Sequence, residues 1–352
     1  MRIMFICDTM GSGGAERVIA TLSNGFVEFG HQVSILMLSS ESDESFYKLS
    51  DNITLFKLPN AKSGFFKKTK SIKRVVVENK PDVVVSFLSY VCIYTWRALK
   101  GTNIPYVVSE RNDPNHRGRI KQFLLNKSFK NAAGCVFQTE DALKWYKNIS
   151  REKSIVIHNP INLDYYTDVI PNTKIQILYV GRLNEQKNCS MLINAFNEFD
   201  SFHPGYLLKM YGSGPLESSL RKQIANNRLE GKVIIAPNSK TWQKDEFDSA
   251  MFVLGSKFEG MPNVLAEALS LGIPSVSTDC PIGGPKELKK FFPNLLVLSE
   301  NDSVLSFARA MEEASRIEHS KLFIPKELSE PYIVEKWLTF IDKILKGKQD
   351  VR

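Results

Sequence analysis

The chain has 352 residues, 43% hydrophobic and 24% charged, which is length and apolar content enough for two cores and excludes a largely disordered protein. Lysine and arginine number 46 against 38 aspartate and glutamate, a formal net charge of +8 that suits an anionic partner without choosing among nucleotide, anionic membrane and nucleic acid. Cys7, Cys92, Cys135, Cys189 and Cys280 are odd in number, scattered and mostly in apolar runs, so buried free thiols in a reducing cytoplasm are expected rather than disulfides or a metal cluster. With no signal-like start and no long uncharged apolar run, any membrane contact is expected to be peripheral.

In chain order, Arg2–Cys7 reads as a buried strand and residues 8–14 as a glycine-rich loop. A helix follows with Ala15, Val18, Ile19, Leu22, Phe26 and Phe29 on one face, then a strand at 32–38, which makes a βαβ unit. The loop GSGGAER, with Gly13, Gly14 and Glu16, lacks the G-x-G-x-x-G order. The second strand ends in Leu38, Ser39 and Ser40 without the acidic residue that holds a cofactor ribose, which disfavours a nicotinamide-dependent oxidoreductase. Glu16 on its own reads equally as a residue serving the helix amino terminus. Strand candidates at 53–58, 83–87, 106–109, 134–138 and 155–157 complete a doubly wound first domain.

Between them lies FFKKTKSIKRVVVENK, where Phe65 and Phe66 precede Lys67, Lys68, Lys70, Lys73 and Arg74. Such a basic, aromatic segment suits an anionic bilayer or the pyrophosphate of a lipid-linked acceptor, with a solvated helix face as the plain alternative. Nucleic acid is disfavoured, because no zinc-finger or RNA-binding motif accompanies the lysines. Glu110 and Arg111 end a strand at the carboxyl edge and are expected to face a cleft, with Asp113 and His116 nearby. Asn159 and Pro160 signal a turn at which the chain passes to its second domain.

The second strand-and-helix series opens at 175–180 and runs into GRLNEQKN. After Gly181, Arg182 offers a fork and Lys187 a point charge to phosphate oxygens, together suiting a diphosphate at the carboxyl end of the first strand. Gly212 and Gly214 in GSGP leave room for a base or ribose, and Ala236 and Pro237 mark the next strand's end. In 251–288 a buried strand, a turn with Gly260, a helix and a second strand follow closely, with Glu259 on the turn and Glu267 in the helix. Met261, Pro262, Asn263, Val264 and Leu265 form the helix entry, where free N–H groups and the dipole favour phosphate. Helical patterns are expected through the remainder, ending in a helix over 331–345 with Tyr332, Trp337, Phe340 and Ile344.

The E-x7-E pair with its small-residue helix and G-x-P-x-V, the G-R-x-x-x-x-K-N block, G-x-G-P and the Asn-Pro turn resemble, in the same order, the family 4 glycosyltransferases. The resemblance implies an α/β GT-B fold: two Rossmann-like doubly wound domains facing a deep cleft, with a C-terminal helix crossing back to the first. It places an acceptor domain at 1–158 with about 331–352, and a donor domain at 159–330. It further implies a retaining transferase moving a hexose or N-acetylhexosamine from a UDP-sugar to a polyprenyl-diphosphate-linked saccharide, peripheral on the inner face of the cell membrane. In that scheme Arg182 and Lys187 stabilise the leaving diphosphate, Glu267 holds the ribose and Glu259 a sugar hydroxyl, the main chain around 181, 212–214, 236–237 and 260–265 lines the donor, and neither cofactor nor metal is needed. The GGAE-like loop, with Gly13, Gly14 and Glu16, faces the cleft near the transferring sugar and the acceptor. Many members have histidine after a similar Ser-Glu; this chain has Arg111, so the histidine's role does not transfer. A GT-B nucleotide-sugar 2-epimerase and a non-catalytic anion- or membrane-binding module are the rival readings.

Overall fold

The computed structural model describes residues 1–39, 45–58, 64–111, 118–163, 174–300 and 302–349. They pack as two units, Met1–Pro160 with Lys326–Arg352, and Ile161–Pro325.

In the first unit β1 (Arg2–Cys7), β2 (Gln32–Met37), β3 (Ile53–Lys57), β4 (Val83–Phe87), β5 (Tyr106–Ser109), β6 (Gly134–Phe137) and β7 (Ser154–Val156) form one sheet in the order β3-β2-β1-β4-β5-β6-β7. The pairings are parallel. Helices cover both faces of such a sheet, so its central strands read as continuous apolar runs rather than alternating ones. The crossovers carry α1 (Gly14–Glu28), α2 (Phe65–Asn79), α3 (Ser89–Leu99), α4 (Arg119–Asn131) and α5 (Glu140–Trp145). Strand order reverses direction between β1 and β4, where loops leaving the carboxyl ends part to either side.

The second unit repeats the plan. β8 (Lys174–Val180), β9 (Leu207–Tyr211), β10 (Val233–Ala236), β11 (Ser249–Leu254), β12 (Ser275–Thr278) and β13 (Leu296–Ser299) order as β10-β9-β8-β11-β12-β13, again parallel. The reversal lies between β8 and β11. Its helices are α6 (Cys189–Phe202), α7 (Glu217–Asn226), α8 (Trp242–Asp245), α9 (Asn263–Ser270), α10 (Gly284–Phe291) and α11 (Val304–Ala314). The helical expectation for everything after residue 288 is corrected by β13, which pairs with β12 from Leu296 opposite Ser275 to Ser299 opposite Thr278. Four residues are too few for periodicity to separate a strand from a buried helical turn.

The chain then returns to the first unit as α12 (Glu330–Gln349). Ile333, Val334, Trp337, Leu338, Phe340 and Ile341 enter the same core as Phe5, Phe26 and Phe87, and Trp337 stacks on Phe87 with centroids 5.9 Å apart. Its seat is cut by two glycines. A Cβ on Gly25, in the middle of α1, would stand 2.5 Å from Val334 Cγ2, and one on Gly134, at the start of β6, 2.4 Å from Ile344 Cδ1. A mid-helix glycine weakens α1 by about 1 kcal/mol, a cost offset by the close approach of α12.

Candidate active site

The reversal between β8 and β11 sets two loops of the second unit side by side. Lys257 N–H donates to the Gln186 carbonyl at 2.8 Å, Gln186 Nε2 donates to the Phe258 carbonyl at 3.0 Å, and Lys187 Nζ pairs with Glu259 Oε1 at 2.5 Å. The pair's side chains are only 12% and 10% exposed, so their attraction is screened less than that of a surface pair. Lys187 closes a single 3₁₀ turn whose cap, Asn184, accepts the Lys187 N–H at 3.1 Å. Arg182 is exposed, and its carbonyl is anchored by the Tyr179 hydroxyl at 2.9 Å.

The neighbouring loops lock onto this pair. A Cβ on Gly212 would lie 2.0 Å from the Gly181 carbonyl oxygen, and one on Gly214 2.4 Å from that of Leu183, which is a packing reason for both glycines. Ala236 ends β10 and Pro237 is exposed; just beyond, Asn238 Nδ2 donates to Ser213 Oγ at 3.1 Å. On the other side a Cβ on Gly284 would lie 1.9 Å from the Gly260 carbonyl oxygen. Five loops thus form a contiguous rim along one sheet edge.

Helix α9 opens onto that rim. Pro262 is its N-cap, a position whose own N–H makes no bond within the helix. Met261 and Leu265 are buried and Asn263 and Val264 half-buried, so this entry presents main-chain N–H groups more than side chains. Glu267, the fifth helical residue, is 2% exposed and accepts from Gln243 Nε2 of α8 at 3.0 Å. A buried carboxylate in the helix, an ion pair on the loops before it and main-chain N–H groups at the helix entry are the kinds of group that hold hydroxyls and phosphate. Among the described residues no group of three or more His, Cys, Asp or Glu is placed to hold a metal ion.

Residues 167–323 match the family described as glycosyl transferases group 1, and residues 12–165 match glycosyltransferase family 4. The chain belongs to the group 1, family 4 glycosyltransferases. It is 26% identical, over 98% of its length and 99% of the relative's, to a Campylobacter jejuni GalNAc-alpha-(1->4)-GalNAc-alpha-(1->3)-diNAcBac-PP-undecaprenol alpha-1,4-N-acetyl-D-galactosaminyltransferase. It is 25% identical to the lipopolysaccharide 1,6-galactosyltransferase of Salmonella typhimurium, over 82% of this chain and 83% of that one. Among solved structures, the apo lipopolysaccharide outer core galactosyltransferase WaaB matches with TM-score 0.74 at 20% identity, covering 97% of this chain and 99% of the other. Anabaena Alr3699/HepE in complex with UDP-glucose matches with TM-score 0.72 at 14% identity, covering 99% and 100%. The two parallel sheets are those of the GT-B fold.

The remaining expected site residues of this glycosyltransferase lie in its first unit. Gly13 is the N-cap of α1 and Gly14 its first residue; the Glu16 carboxylate folds back so far that a Cβ on Gly13 would lie 2.2 Å from its Oε2. That is the position of a carboxylate serving a helix amino terminus. Glu110 and Arg111 turn inward, 2% and 6% exposed. Tyr146 Oη donates to Glu110 Oε2 at 2.6 Å, and the Arg111 N–H donates to Glu110 Oε1 at 3.0 Å. The Arg111 guanidinium donates to Asn159 Oδ1 and lies 4.2 Å from the Phe87 ring centroid. Among the described residues its Nε and Nη2 have no hydrogen-bond partner. Burial pushes its pKa down to about 9, against the opposing field of Glu110. Asp113 and His116 lie outside the described residues.

Along α2, Lys67, Lys70, Lys73 and Arg74 are exposed, whereas Lys68 is buried, its Nζ donating to Ser39 Oγ at 3.2 Å and lying 5.3 Å from the Tyr94 ring. Sequence reasoning missed Gln243 and Tyr146, whose segments carry no motif. It also missed Glu246, whose buried carboxylate accepts from Lys209 at 2.6 Å, Tyr211 at 2.7 Å and Gln176. Burial alone would raise the Glu246 pKa, but these hydrogen bonds outweigh it and hold the carboxyl below its usual range.

Proposed function

We propose that this glycosyltransferase moves a hexose or N-acetylhexosamine from a UDP-sugar to a polyprenyl-diphosphate-linked saccharide, with retention at the anomeric carbon. The observation that carries the donor half is the Lys187–Glu259 pair, held at 2.5 Å with Glu259 on the turn that leads into α9, the helix that carries the buried Glu267. A diphosphate entering there offers Lys187 a more highly charged partner than one carboxylate, and Glu259, released, accepts from a sugar hydroxyl. Arg182, exposed on the same loop, adds its fork to the phosphate oxygens, and the first N–H groups of α9 receive the charge that grows as the sugar departs. Glu267 holds the ribose hydroxyls. With cations and amides absorbing that charge, the reading assigns no step to a metal, and transfer is expected to persist in a chelator. Two relatives support the acceptor half: the Campylobacter protein is named for an undecaprenol-linked saccharide and the Salmonella protein for lipopolysaccharide. The HepE complex with UDP-glucose supports the donor.

The test is transfer from a panel of labelled UDP-sugars to a polyprenyl-diphosphate-linked saccharide, with the product anomer read by NMR. One UDP-sugar is expected to react with retention, and Arg182→Ala to lose about 10²–10³-fold in kcat. Full activity of Arg182→Ala removes the diphosphate assignment, and conversion of the sugar nucleotide without acceptor identifies an epimerase instead.

A further inference from the structure

The crossovers of the first unit leave a layer in which α2 packs on α3 and α3 on α4. These three helices carry ten lysines and arginines and one acidic residue, Glu78, which is taken up by Arg74 at 3.9 Å. The whole chain has a net charge of +8, so this layer alone accounts for more than the entire excess, and the rest of the molecule is close to neutral. A basic pI spread evenly would say little; one gathered on three adjacent helices makes a directed field.

The same layer exposes large apolar side chains at one end. Phe66 in the first turn of α2 is 74% exposed, and Ile120 and Phe123 in the first two turns of α4 are 79% and 57% exposed. Both helices leave the carboxyl ends of parallel strands, so their first turns stand at the same sheet edge. Each continues as a cationic stripe at helical spacing: Phe66, Lys70, Lys73 on α2 and Ile120, Phe123, Lys127 on α4, with Lys127 Nζ 4.5 Å from the Phe123 ring. Between them Phe65 is braced against Tyr94 of α3, centroids 4.9 Å apart, so the aromatic tip of α2 is held rather than loose.

We infer that this layer is a docking surface for an anionic lipid bilayer, formed by α2 and α4 together, with Phe66, Ile120 and Phe123 entering the boundary between headgroups and acyl chains and the lysines lying among the headgroups. Single exposed apolar residues are ordinary, but three at one edge of a layer this cationic match the two components of interfacial binding, apolar insertion and attraction to anionic lipid. Polynucleotide would use the lysines and leave Ile120 and Phe123 without a role. The inference deepens the proposed function and rests on it only for the reason the enzyme would need a membrane, namely a lipid-linked acceptor.

Flotation of the full chain with phosphatidylglycerol/phosphatidylcholine vesicles, against phosphatidylcholine alone and over a salt series, tests it. Binding to the anionic vesicles that weakens with salt is expected, with little on neutral ones. The double variant Ile120→Asp, Phe123→Asp is expected to lower partitioning by at least about tenfold, and removal of Lys70 and Lys73 by about fivefold per residue. Its melting temperature and its stabilisation by UDP should match the parent's, since both side chains are on the surface. Flotation of the double variant equal to the parent's, or binding of a polynucleotide but not of anionic vesicles at the same salt, overturns the proposal. Flotation as expected without stabilisation by UDP leaves the surface standing and removes the donor assignment.

Discussion

Replacing Lys187 by alanine strands Glu259, whose side chain is 10% exposed, without its cation. A carboxylate left alone in so little solvent costs about 3 kcal/mol, and the double variant Lys187→Met, Glu259→Gln, which removes both charges together, should cost less. Denaturant titration of the two variants separates them, and both should lose transfer. Glu246 gives a pH test of the opposite kind. Its carboxyl is held below the usual range, so the stability it contributes is fully present above the ordinary glutamate pKa and is lost as pH falls through its own, lower value. Glu246→Gln should therefore be less stable than the parent near pH 7 by about 2 kcal/mol, and the gap should close in a melting series carried below about pH 4. The cysteines add a simpler outcome. All five are buried, with burial pushing Cys135 and Cys280 up to about 12, so alkylation of native protein should be negligible and should follow unfolding.

At the scale of elements, the loops of the second unit interlock through carbonyl oxygens, and a methyl group is enough to part them. Gly284→Ala would set a Cβ 1.9 Å from the Gly260 carbonyl oxygen, displacing the loop that carries Glu259. A loss of about 2 kcal/mol in stability and weaker stabilisation by UDP are expected from thermal shift. The sequence made most of this edge legible, because a parallel sheet announces itself as apolar runs separated by helical periods, and glycines and cations cluster where its strands end. Arg182 and Lys187 are readable as anion-binding for that reason, whereas Glu259 and Glu267 rest on the resemblance of their E-x7-E spacing to the family. Three features escaped it, each for want of local signal. β13 is a four-residue apolar run with no period to read. Glu246 meets Gln176, Lys209 and Tyr211 across intervals of 35 to 70 residues. Glu110 and Arg111 sit at a strand's carboxyl end and are expected to face a cleft; the partners that hold them there buried, Tyr146, Asn159 and Phe87, are ones no spacing rule encodes.

For the whole molecule, the two units have similar sheets but unlike dependence on the chain. The second is one continuous stretch, Ile161–Pro325, whereas the first needs residues from 326 onward to fill its core. Trp337, fully buried against Phe87, is the largest of these, and Trp337→Ala should cost about 3–5 kcal/mol, read by calorimetry as destabilisation of the first unit with the second little changed. An order of events during synthesis follows. On the ribosome the opening 160 residues emerge with a gap where α12 belongs, and the second unit is translated in full before anything can fill it. The part made first is therefore finished last, and until then its unfilled seat is a surface for chaperones.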